Sequence, residues 1–273
     1  MAVIAYFISL FVQILQGIGH YCYRLSTLLE GLLPTLMSPS QISAQTRAHY
    51  RKYYSPQHLQ TTSESEPYLL MPWEDDVLTR HAIRSGRMLI MGSGMGRESI
   101  AIARRGIDVV GVDANSLAVR AAQHQAKAAG VRARFHEADY QTLPYSPGSF
   151  DHALLSATMY SAIPGIAHRQ AWVGNLGRLL KPGGLLVLSF ICLPRQFQVS
   201  RLGVLRRRCS VLLSKLPGAN PAYQVGDECP GGHFLHVFQD EAELRKELDG
   251  AGVVIHELNW NQGFAVIAYP PHS

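Results

Sequence analysis

Short apolar runs alternate with segments of helical periodicity from Trp73 onward, and this alternation constrains the fold more than any other feature. The runs predict buried strands, and the segments between them predict helices that connect one strand to the next. Connections of this length are right-handed crossovers between parallel strands. The predicted strands are residues 88–91, 109–112, 132–137, 153–156 and 185–190, and the predicted helices are residues 98–105, 116–129 and 166–180.

The last part of the chain departs from this alternation. Residues 253–260 and 264–269 both have strand character, and only Asn261-Gln262-Gly263 separates them. Two strands joined by so short a turn form an antiparallel hairpin. The predicted fold class is therefore α/β, a doubly wound, mostly parallel seven-stranded sheet with an antiparallel C-terminal hairpin. A chain of 273 residues with 47% hydrophobic residues can bury such a core, and this composition excludes a disordered chain.

An apolar segment, residues 1–37, precedes this domain. Its first 23 residues contain no Asp, Glu, Lys or Arg. Polar side chains recur every three or four positions, which predicts a helix with one narrow polar stripe, at Ser9, Gln13, Gln16, His20, Arg24 and Thr27. Charged residues make up only 16% of the chain, against about 25% in a typical soluble domain. We therefore interpret this helix as a membrane anchor, and a helix that caps its own domain is the alternative.

Residues 38–72 are interpreted as a connector that covers a cleft, and residues 73–273 as the main domain. The connector is rich in Pro, Ser, Thr and Gln, as loops are. A short helix is predicted over residues 41–54, where Tyr50, Tyr53 and Tyr54 stand beside basic residues. Helix packing is the favoured interpretation of these tyrosines.

The first predicted strand leads directly into Gly92-Ser93-Gly94-Met95-Gly96. Glycines let the backbone turn sharply and approach a ligand closely. The next two strands end at Asp113 and Asp139, so two carboxylates follow on the same edge of the sheet. A carboxylate at this edge can accept hydrogen bonds from ribose hydroxyls, which predicts a nucleoside site. Arg97 stands where a dinucleotide fingerprint has a small residue, which counts against pyrophosphate binding.

Together these motifs resemble class I S-adenosylmethionine-dependent methyltransferases of the small-molecule type. The resemblance covers residues 83–190 closely, and the terminal hairpin is similar to the reversed last strand of that family. It rests on Gly92-Ser93-Gly94-Met95-Gly96, Asp113, Ala138-Asp139, Ser149-Phe150-Asp151 and Leu180-Lys181-Pro182-Gly183-Gly184. It implies a Rossmann-like fold, S-adenosyl-L-methionine as the cofactor, and methyl transfer as the reaction.

The resemblance also implies which residues bind the cofactor. These are Gly92, Ser93, Gly94, Gly96, Asp113, Asp139, Tyr140, Ser156 and Ala157. The glycines would lie along the methionine part and the ribose, Asp113 would hold the ribose hydroxyls, and Asp139 the adenine amine. Tyr140 would flank the adenine ring, while Ser156 and Ala157 would face the sulfonium. One position departs from the family, because Ile90 replaces the acidic residue usual two positions before the first glycine.

The acceptor is expected to be a small molecule. The segment Ser156-Ala157-Thr158-Met159-Tyr160 lacks the Asn/Asp-Pro-Pro-aromatic signature that family members use on nucleobase amines, so nucleic acid is disfavoured. Tyr160, His233 and His236 are the candidates to position or deprotonate the acceptor, and packing is their alternative role. Cys229, His233 and His236 form a loose cluster on a glycine-rich loop, but no metal site is predicted there.

Residues 192–226, here called the basic insert, follow the fifth predicted strand. The insert has no acid up to Gly226 and contains Arg195, Arg201, Arg206, Arg207, Arg208 and Lys215. Without these six cations the net charge would change from +5 to −1. Because apolar residues lie between the charges, the pattern favours a helix on a lipid surface. RNA contact and a solvated cover over the site are the alternatives.

The sequence thus predicts methyl transfer to a small hydrophobic acceptor at the cytoplasmic face of a membrane. A membrane-bound scaffold that keeps the fold without catalysis is the second hypothesis, to which the replacement at Ile90 gives weight. A dinucleotide-dependent oxidoreductase is the third, and Arg97 and the terminal hairpin both count against it.

Overall fold

A computed structural model describes residues 2–54, 69–140, 142–155 and 158–270. These residues form a seven-stranded sheet in the order β3-β2-β1-β4-β5-β10-β9. Its first five strands run parallel, and the last two pair antiparallel, so the predicted fold class is confirmed. The strands are β1 (Arg87–Met91), β2 (Asp108–Asp113), β3 (Ala133–Glu137), β4 (Phe150–Leu155), β5 (Leu180–Ser189), β9 (Val254–Asn259) and β10 (Phe264–Ala268).

Helices cover both faces of this sheet because its side chains alternate between two separate apolar cores. Leu89 and Met91 of β1 pack in one core with Trp172, whereas Met88 and Ile90 pack in the other with Phe264. The connecting helices are α4 (Pro72–Arg80), α5 (Arg97–Ala103), α6 (Ser116–Ala128), α7 (Ile166–Leu179) and α9 (Glu241–Gly250).

The predicted strand and helix positions are correct, with small differences at their ends. The largest difference is in β5, which begins at Leu180 rather than at Leu185, and β4 begins at Phe150 rather than at Ala153. The added residues Asp151 and His152 are polar and half-buried, so their hydrophobicity does not indicate a strand. Asp151 lies there because it accepts hydrogen bonds from the Arg87 N–H and from Lys181 Nζ.

Three helices precede the sheet domain: α1 (Ala2–Glu30), α2 (Leu33–Leu36) and α3 (Pro39–Tyr53). The side chain of Ser38 caps α3, and Gln41 completes a capping box. Leu33, Met37 and Ile42 pack against Cys229 and Phe234 in a small apolar cluster. This cluster fastens the N-terminal helices to the loop before β8.

Helix α1 has large apolar side chains in solvent along most of its length. Phe7, Phe11 and Ile18 are each more than half exposed. In the part of the chain whose placement is described, no helix combines the length and the apolar character needed to cross a membrane.

The basic insert folds as part of a small second layer. It contains α8 (Arg201–Leu213), and β6 (Ile191–Cys192), β7 (Asp227–Glu228) and β8 (Leu235–Phe238) form a three-stranded sheet beside it. Two of its six cations have acidic partners outside the insert, because Arg195 pairs with Glu241 and Arg206 with Glu228. Five large apolar side chains of the segment from α8 to residue 216 are also exposed, namely Leu202, Val204, Leu205, Leu212 and Leu216.

A buried charge network joins this second layer to the sheet domain. Arg169 of α7 and Glu247 of α9 are fully buried and form a two-point ion pair, with Nε to Oε1 and Nη2 to Oε2 distances of 2.7 Å. The Tyr160 hydroxyl donates to the same Glu247 Oε1 at 2.6 Å. Breaking such a pair leaves an uncompensated buried charge, which is far more costly than loss of a surface pair.

His236 of β8 extends the network toward the small sheet. Its Nδ1 lies 2.7 Å from Asp227 Oδ1 and its Nε2 lies 3.3 Å from Glu243 Oε1. Burial and the nearby Arg169 lower the pKa of His236, but the carboxylates of Asp227 and Glu243 outweigh both, so its pKa is raised. His236 therefore holds its proton more strongly in the folded protein than in the unfolded chain.

The pH dependence of stability should report this charge. A histidine whose pKa is higher in the folded state stabilises the fold fully at pH values below its unfolded-state pKa of about 6.5. This stabilisation is lost as the pH rises through the folded-state pKa. We expect the free energy of unfolding of the parent protein to fall as the pH rises through this range. The His236→Gln variant should not show this decrease. Urea denaturation at a series of pH values measures both. Exposed His256, changed to Gln, is the matched control. Parallel profiles for the parent and His236→Gln would contradict a raised pKa of His236.

Candidate active site

A cavity of about 230 Å³ lies at the carboxyl ends of β1 and β2, where doubly wound sheets bind ligands. The sheet supplies one wall and α3 the opposite wall. The residues after β4 complete it on a third side. The lining residues include Tyr50 of α3 and Tyr54 just after it, Asp113 at the end of β2 and Asn115 after it, Asp139 and Tyr140 after β3, and Met159, Ala162, Ile163 and Pro164 after β4.

The glycine turn brings backbone close to this cavity. Gly92 and Gly94 adopt φ values of +67° and +49°, which residues with a Cβ atom rarely adopt. A Cβ on Gly92 would lie 2.7 Å from the Met159 sulfur, and one on Gly94 would lie 2.9 Å from the Tyr54 hydroxyl. Gly96 instead begins α5 and faces Phe135. The first two glycines therefore leave room on the cavity side, while the third permits close packing of α5.

Asp113 joins the turn after β1 to the end of β2. Its Oδ2 accepts from the Gly94 N–H at 2.9 Å, and its Oδ1 accepts from the Asn115 N–H at 2.8 Å. Burial raises the pKa of this carboxyl, and the N–H donors oppose the rise. A carboxylate has about four acceptor positions, so two bonds leave capacity for two hydroxyl donors. This donor and acceptor set fits the ribose of a nucleoside.

The other predicted cofactor residues divide into three groups. Asp139 and Tyr140 line the cavity, and the Tyr140 ring lies edge-on to Trp172 with centroids 5.3 Å apart. Ser93 is buried, its hydroxyl has no partner among the described residues, and it does not line the cavity. Ser156 and Ala157 lie outside the described residues.

None of the three predicted acceptor-side residues lines the cavity. Tyr160 and His236 are fully buried and belong to the network around Glu247 and Asp227. Burial and the carboxylate of Glu247 hold the pKa of Tyr160 well above its ordinary value, so its hydroxyl keeps its proton. His233 is half-buried beside His49, with ring centroids 4.7 Å apart. Burial and this neighbour lower the pKa of His233.

Buried residues behind the cavity hold in place the wall that residues 159–164 form. Arg169 donates to the Ile163 carbonyl at 3.0 Å, and the His236 N–H donates to the Ser161 carbonyl at 2.8 Å. Among the described residues, no group of three or more His, Cys, Asp or Glu side chains is arranged to hold a metal ion. Cys229 points into the apolar cluster with Ile42, and burial raises the pKa of its thiol to about 12.

Sequence reasoning missed which side chains of α3 line the cavity. Interpretation of the tyrosines as helix-packing residues is incomplete, because Tyr50 and Tyr54 also line the cavity together with Ser43, Thr46, Arg47 and Arg51. Burial, followed by the charge of Asp113, raises the pKa of both tyrosines. The signal was present, since these six positions recur three or four residues apart and so share one face of a helix.

Arg97 also has a different role from the one its position suggested. Its guanidinium group pairs with Glu74 at 3.0 Å and with Glu98 at 2.6 Å, and donates to the Leu69 carbonyl. It does not line the cavity. Arg97 therefore anchors the start of α4. The sheet order with its antiparallel strands, rather than Arg97, disfavours a dinucleotide enzyme.

The fold and the site together define the class I methyltransferase architecture. A solved structure of a 1,6-didemethyltoxoflavin-N1-methyltransferase from Burkholderia thailandensis, with S-adenosylhomocysteine bound, shares this fold. Its TM-score is 0.59 at 17% identity, over 85% of this chain and 89% of that one. Residues 88–184 match the sequence profile described as a methyltransferase domain. The chain therefore carries a class I S-adenosylmethionine-dependent methyltransferase domain, as the resemblance implied.

Two curated relatives are also similar. A demethylmenaquinone methyltransferase from Thermus thermophilus is 35% identical over 107 residues, which is 38% of this chain and 47% of the relative. A ubiquinone biosynthesis O-methyltransferase from Azorhizobium caulinodans is 29% identical over 193 residues, which is 67% of this chain and 68% of the relative. The match with the first relative spans less than half of that protein.

Loss of the Asp113 carboxylate should weaken cofactor binding. Hydrogen bonds to a charged group contribute about 1.5–3 kcal/mol, so Asp113→Ala should weaken S-adenosylhomocysteine binding about 10-fold to 150-fold. Calorimetric titration measures this loss. Asp108, at the exposed start of the same strand and paired with Arg134, provides the matched control Asp108→Ala. Equal affinities of Asp113→Ala and the parent would refute a role for this carboxylate.

Proposed function

We propose that this protein transfers a methyl group from S-adenosylmethionine to a small, hydrophobic acceptor. The observation that carries the proposal is the two-sided character of the cavity. Its nucleoside side presents Asp113, Asp139 and Gly92, and its other side is formed by apolar residues between Met159 and Pro164. Such a cavity suits a polar nucleoside donor beside an apolar acceptor.

The residues of this chain would act mainly by alignment. Gly92, Gly94, Asp113, Asp139 and Tyr140 would hold the donor, whose sulfonium supplies an already activated methyl group. Ser156 and Ala157 would face the sulfonium, as the resemblance implies, whereas Ser93 and Gly96 would support the glycine turn from outside the cavity. Tyr50 and Tyr54 would close the cavity from α3 and exclude water, which holds the two reactants in one orientation.

The acceptor side would be shaped by residues behind the wall. Tyr160 and His236 would position residues 159–164 through their buried partners rather than touch the acceptor. His233, beside His49 and close to Tyr50, is the remaining candidate to accept a proton, because its lowered pKa keeps it neutral near pH 7. Names of relatives support an acceptor of the reduced quinone type, since two of them are quinone methyltransferases.

The site would work at the cytoplasmic surface of a membrane. In this organisation, residues 1–37 form the anchor, residues 38–72 the cover of the cavity, and residues 73–273 the catalytic domain with its basic insert. The exposed apolar side chains of α1 support a lipid contact, as do the exposed leucines and cations of α8. Arg207 and Arg208 remain available for this contact, whereas Arg206 is paired with Glu228.

Transfer to a reduced, demethylated quinone tests the main proposal. The full-length protein, S-adenosylmethionine and either a demethylated naphthoquinol or a catechol probe should give a product one methyl group heavier by mass spectrometry. The Asp113→Ala variant should lose this activity, and Asp108→Ala should keep it. If the parent binds S-adenosylhomocysteine but methylates neither probe, the non-catalytic scaffold becomes the better hypothesis.

Vesicle binding tests the membrane contact. The parent should sediment with anionic vesicles more than with neutral ones, because each cation near an anionic surface contributes about 1 kcal/mol. The Arg207→Gln, Arg208→Gln double variant should lose much of the difference, and salt should weaken it further. Changing Phe11, Ile14 and Ile18 to Gln should reduce binding to both vesicle types. Unchanged sedimentation of both variants would contradict the membrane contact.

A further inference from the structure

The turn formed by residues 158–161, after β4, begins at a strained residue. Thr158 has a φ of +60°, in the left-handed region that β-branched residues very rarely adopt. The Ser161 N–H donates to the Thr158 carbonyl at 2.9 Å and closes the turn. A strained conformation of this kind persists only where surrounding contacts hold it, and such conformations cluster at active sites.

Two buried serine hydroxyls hold this turn against the end of β5. The Ser189 hydroxyl, at the last position of β5, accepts from the Thr158 N–H at 2.8 Å and donates to the Leu155 carbonyl at 3.3 Å. The Ser161 hydroxyl accepts from the Ile191 N–H at 2.8 Å. Each segment thus supplies a side-chain acceptor for a backbone N–H of the other. Both serines are at most 4% exposed, so these bonds are shielded from water.

The turn presents the apolar side of the cavity. Met159, its second residue, lines the cavity and lies against Gly92, where an added Cβ would be 2.7 Å from the Met159 sulfur. Neither Ser161 nor Ser189 lines the cavity. Their hydroxyls therefore act on the cavity only through the position of the turn.

We propose that Ser161 and Ser189, here called the serine clasp, are positioning residues for methyl transfer. The clasp holds the strained turn, and the turn holds Met159 and the wall after it against the glycine turn. The acceptor would therefore meet the methyl group of the donor in one orientation, and misplacement of reacting groups by about 1 Å is costly for transfer. The inference rests on the proposed function for the acceptor on this side, whereas the position of Met159 is a property of the protein alone.

The clasp differs from the buried ion pair behind the same wall. Arg169 binds the Ile163 carbonyl, toward the end of the wall, and loss of its charge would leave Glu247 buried and uncompensated. The clasp is uncharged, and its loss removes hydrogen bonds only at the start of the wall. A serine variant should therefore fold and show a local change.

Removal of one hydroxyl, with relief of the strain as the rescue, tests the clasp. Ser189→Ala loses the acceptor for the Thr158 N–H, so the turn should move. Glycine adopts a positive φ without strain, so the Ser189→Ala, Thr158→Gly double variant should regain the parent's position of the turn. Ser161→Ala cuts the other half of the clasp and gives the same test should Ser189→Ala fail to fold. Ser210→Ala, which removes a buried hydroxyl from α8, is the matched control.

The position of Met159 is measured without any acceptor. Protein labelled with ¹³C at its methionine methyl groups gives an NMR resonance for Met159, which Met159→Leu assigns. We expect Ser189→Ala to shift this resonance by more than its linewidth, and the double variant to return it toward the parent value. The resonance of Met88, which packs in the other apolar core, should stay unchanged.

Ligand affinities separate positioning of the acceptor from support of the whole site. Calorimetric titrations use S-adenosylhomocysteine for the donor side and 2-naphthol, on protein saturated with S-adenosylhomocysteine, for the acceptor side. Ser189→Ala should weaken 2-naphthol binding about 10-fold or more and change S-adenosylhomocysteine binding less than about 3-fold, because the contacts of Asp113 lie elsewhere. The double variant should recover most of the affinity for 2-naphthol.

Three results would overturn the serine clasp. One is an unchanged Met159 resonance in Ser189→Ala, and another is a double variant that behaves as Ser189→Ala does. The third is an equal loss of affinity for both ligands, which would make the serines supports of the fold rather than positioning residues. If the parent binds S-adenosylhomocysteine but not 2-naphthol, the result counts against the proposed acceptor, and the Met159 resonance alone decides the clasp.

Discussion

The hydrogen bond from the Gly94 N–H to the Asp113 carboxylate is the contact on which the site depends. It joins the turn after β1 to the end of β2, and the second oxygen of Asp113 fixes the start of α6 through Asn115. These bonds order the glycine turn although the family's acidic residue before it is replaced by Ile90. Ile90 itself is fully buried in the apolar core that contains Met88 and Phe264. An acidic side chain there would be buried without a hydrogen-bond partner, which is costly, whereas isoleucine needs none.

A second constraint operates on the opposite side of the cavity. The pair of Arg169 and Glu247 is fully buried, and Tyr160 and Gln224 complete its hydrogen bonds. Such a pair is retained only when its geometry satisfies both charges, because each pays a large desolvation cost. Since Arg169 also binds the Ile163 carbonyl, the network fixes the wall that would meet the acceptor. Packing of the second layer and the shape of this wall therefore depend on the same buried network.

The N-terminal helices connect this catalytic architecture to the exposed apolar surface. Helix α3 has one side against the cavity, while Ile42 on it packs with Cys229 and Phe234. The end of α1 reaches the same loop, where the Cys229 N–H donates to the Glu30 carbonyl. A lipid contact at α1 and closure of the cavity by α3 would therefore share one rigid connection, the apolar cluster around Cys229.

Local sequence patterns determined the sheet, its crossover helices, the glycine turn and the two aspartates at the strand ends. Each of these features depends on periodicity or on spacing along the chain. Parallel strands place their carboxyl ends at one edge of the sheet, independently of how the remaining segments pack. The apolar helix α1 was also predicted, because its lack of charge extends over many turns. These features agree with the structure to within a few residues at each boundary.

Only the tertiary structure decided which side chains face the cavity. Tyr160 and His236 have the chemistry of acid and base groups, yet long-range partners such as Glu247 and Asp227 bury them behind the wall. Tyr50, Tyr54, Arg47 and Arg51 lie at least 38 residues before the glycine turn, and docking of α3 brings them to it. Sequence spacing fixes which residues share one face of a helix, but the surface that this face meets depends on contacts between residues far apart in the chain.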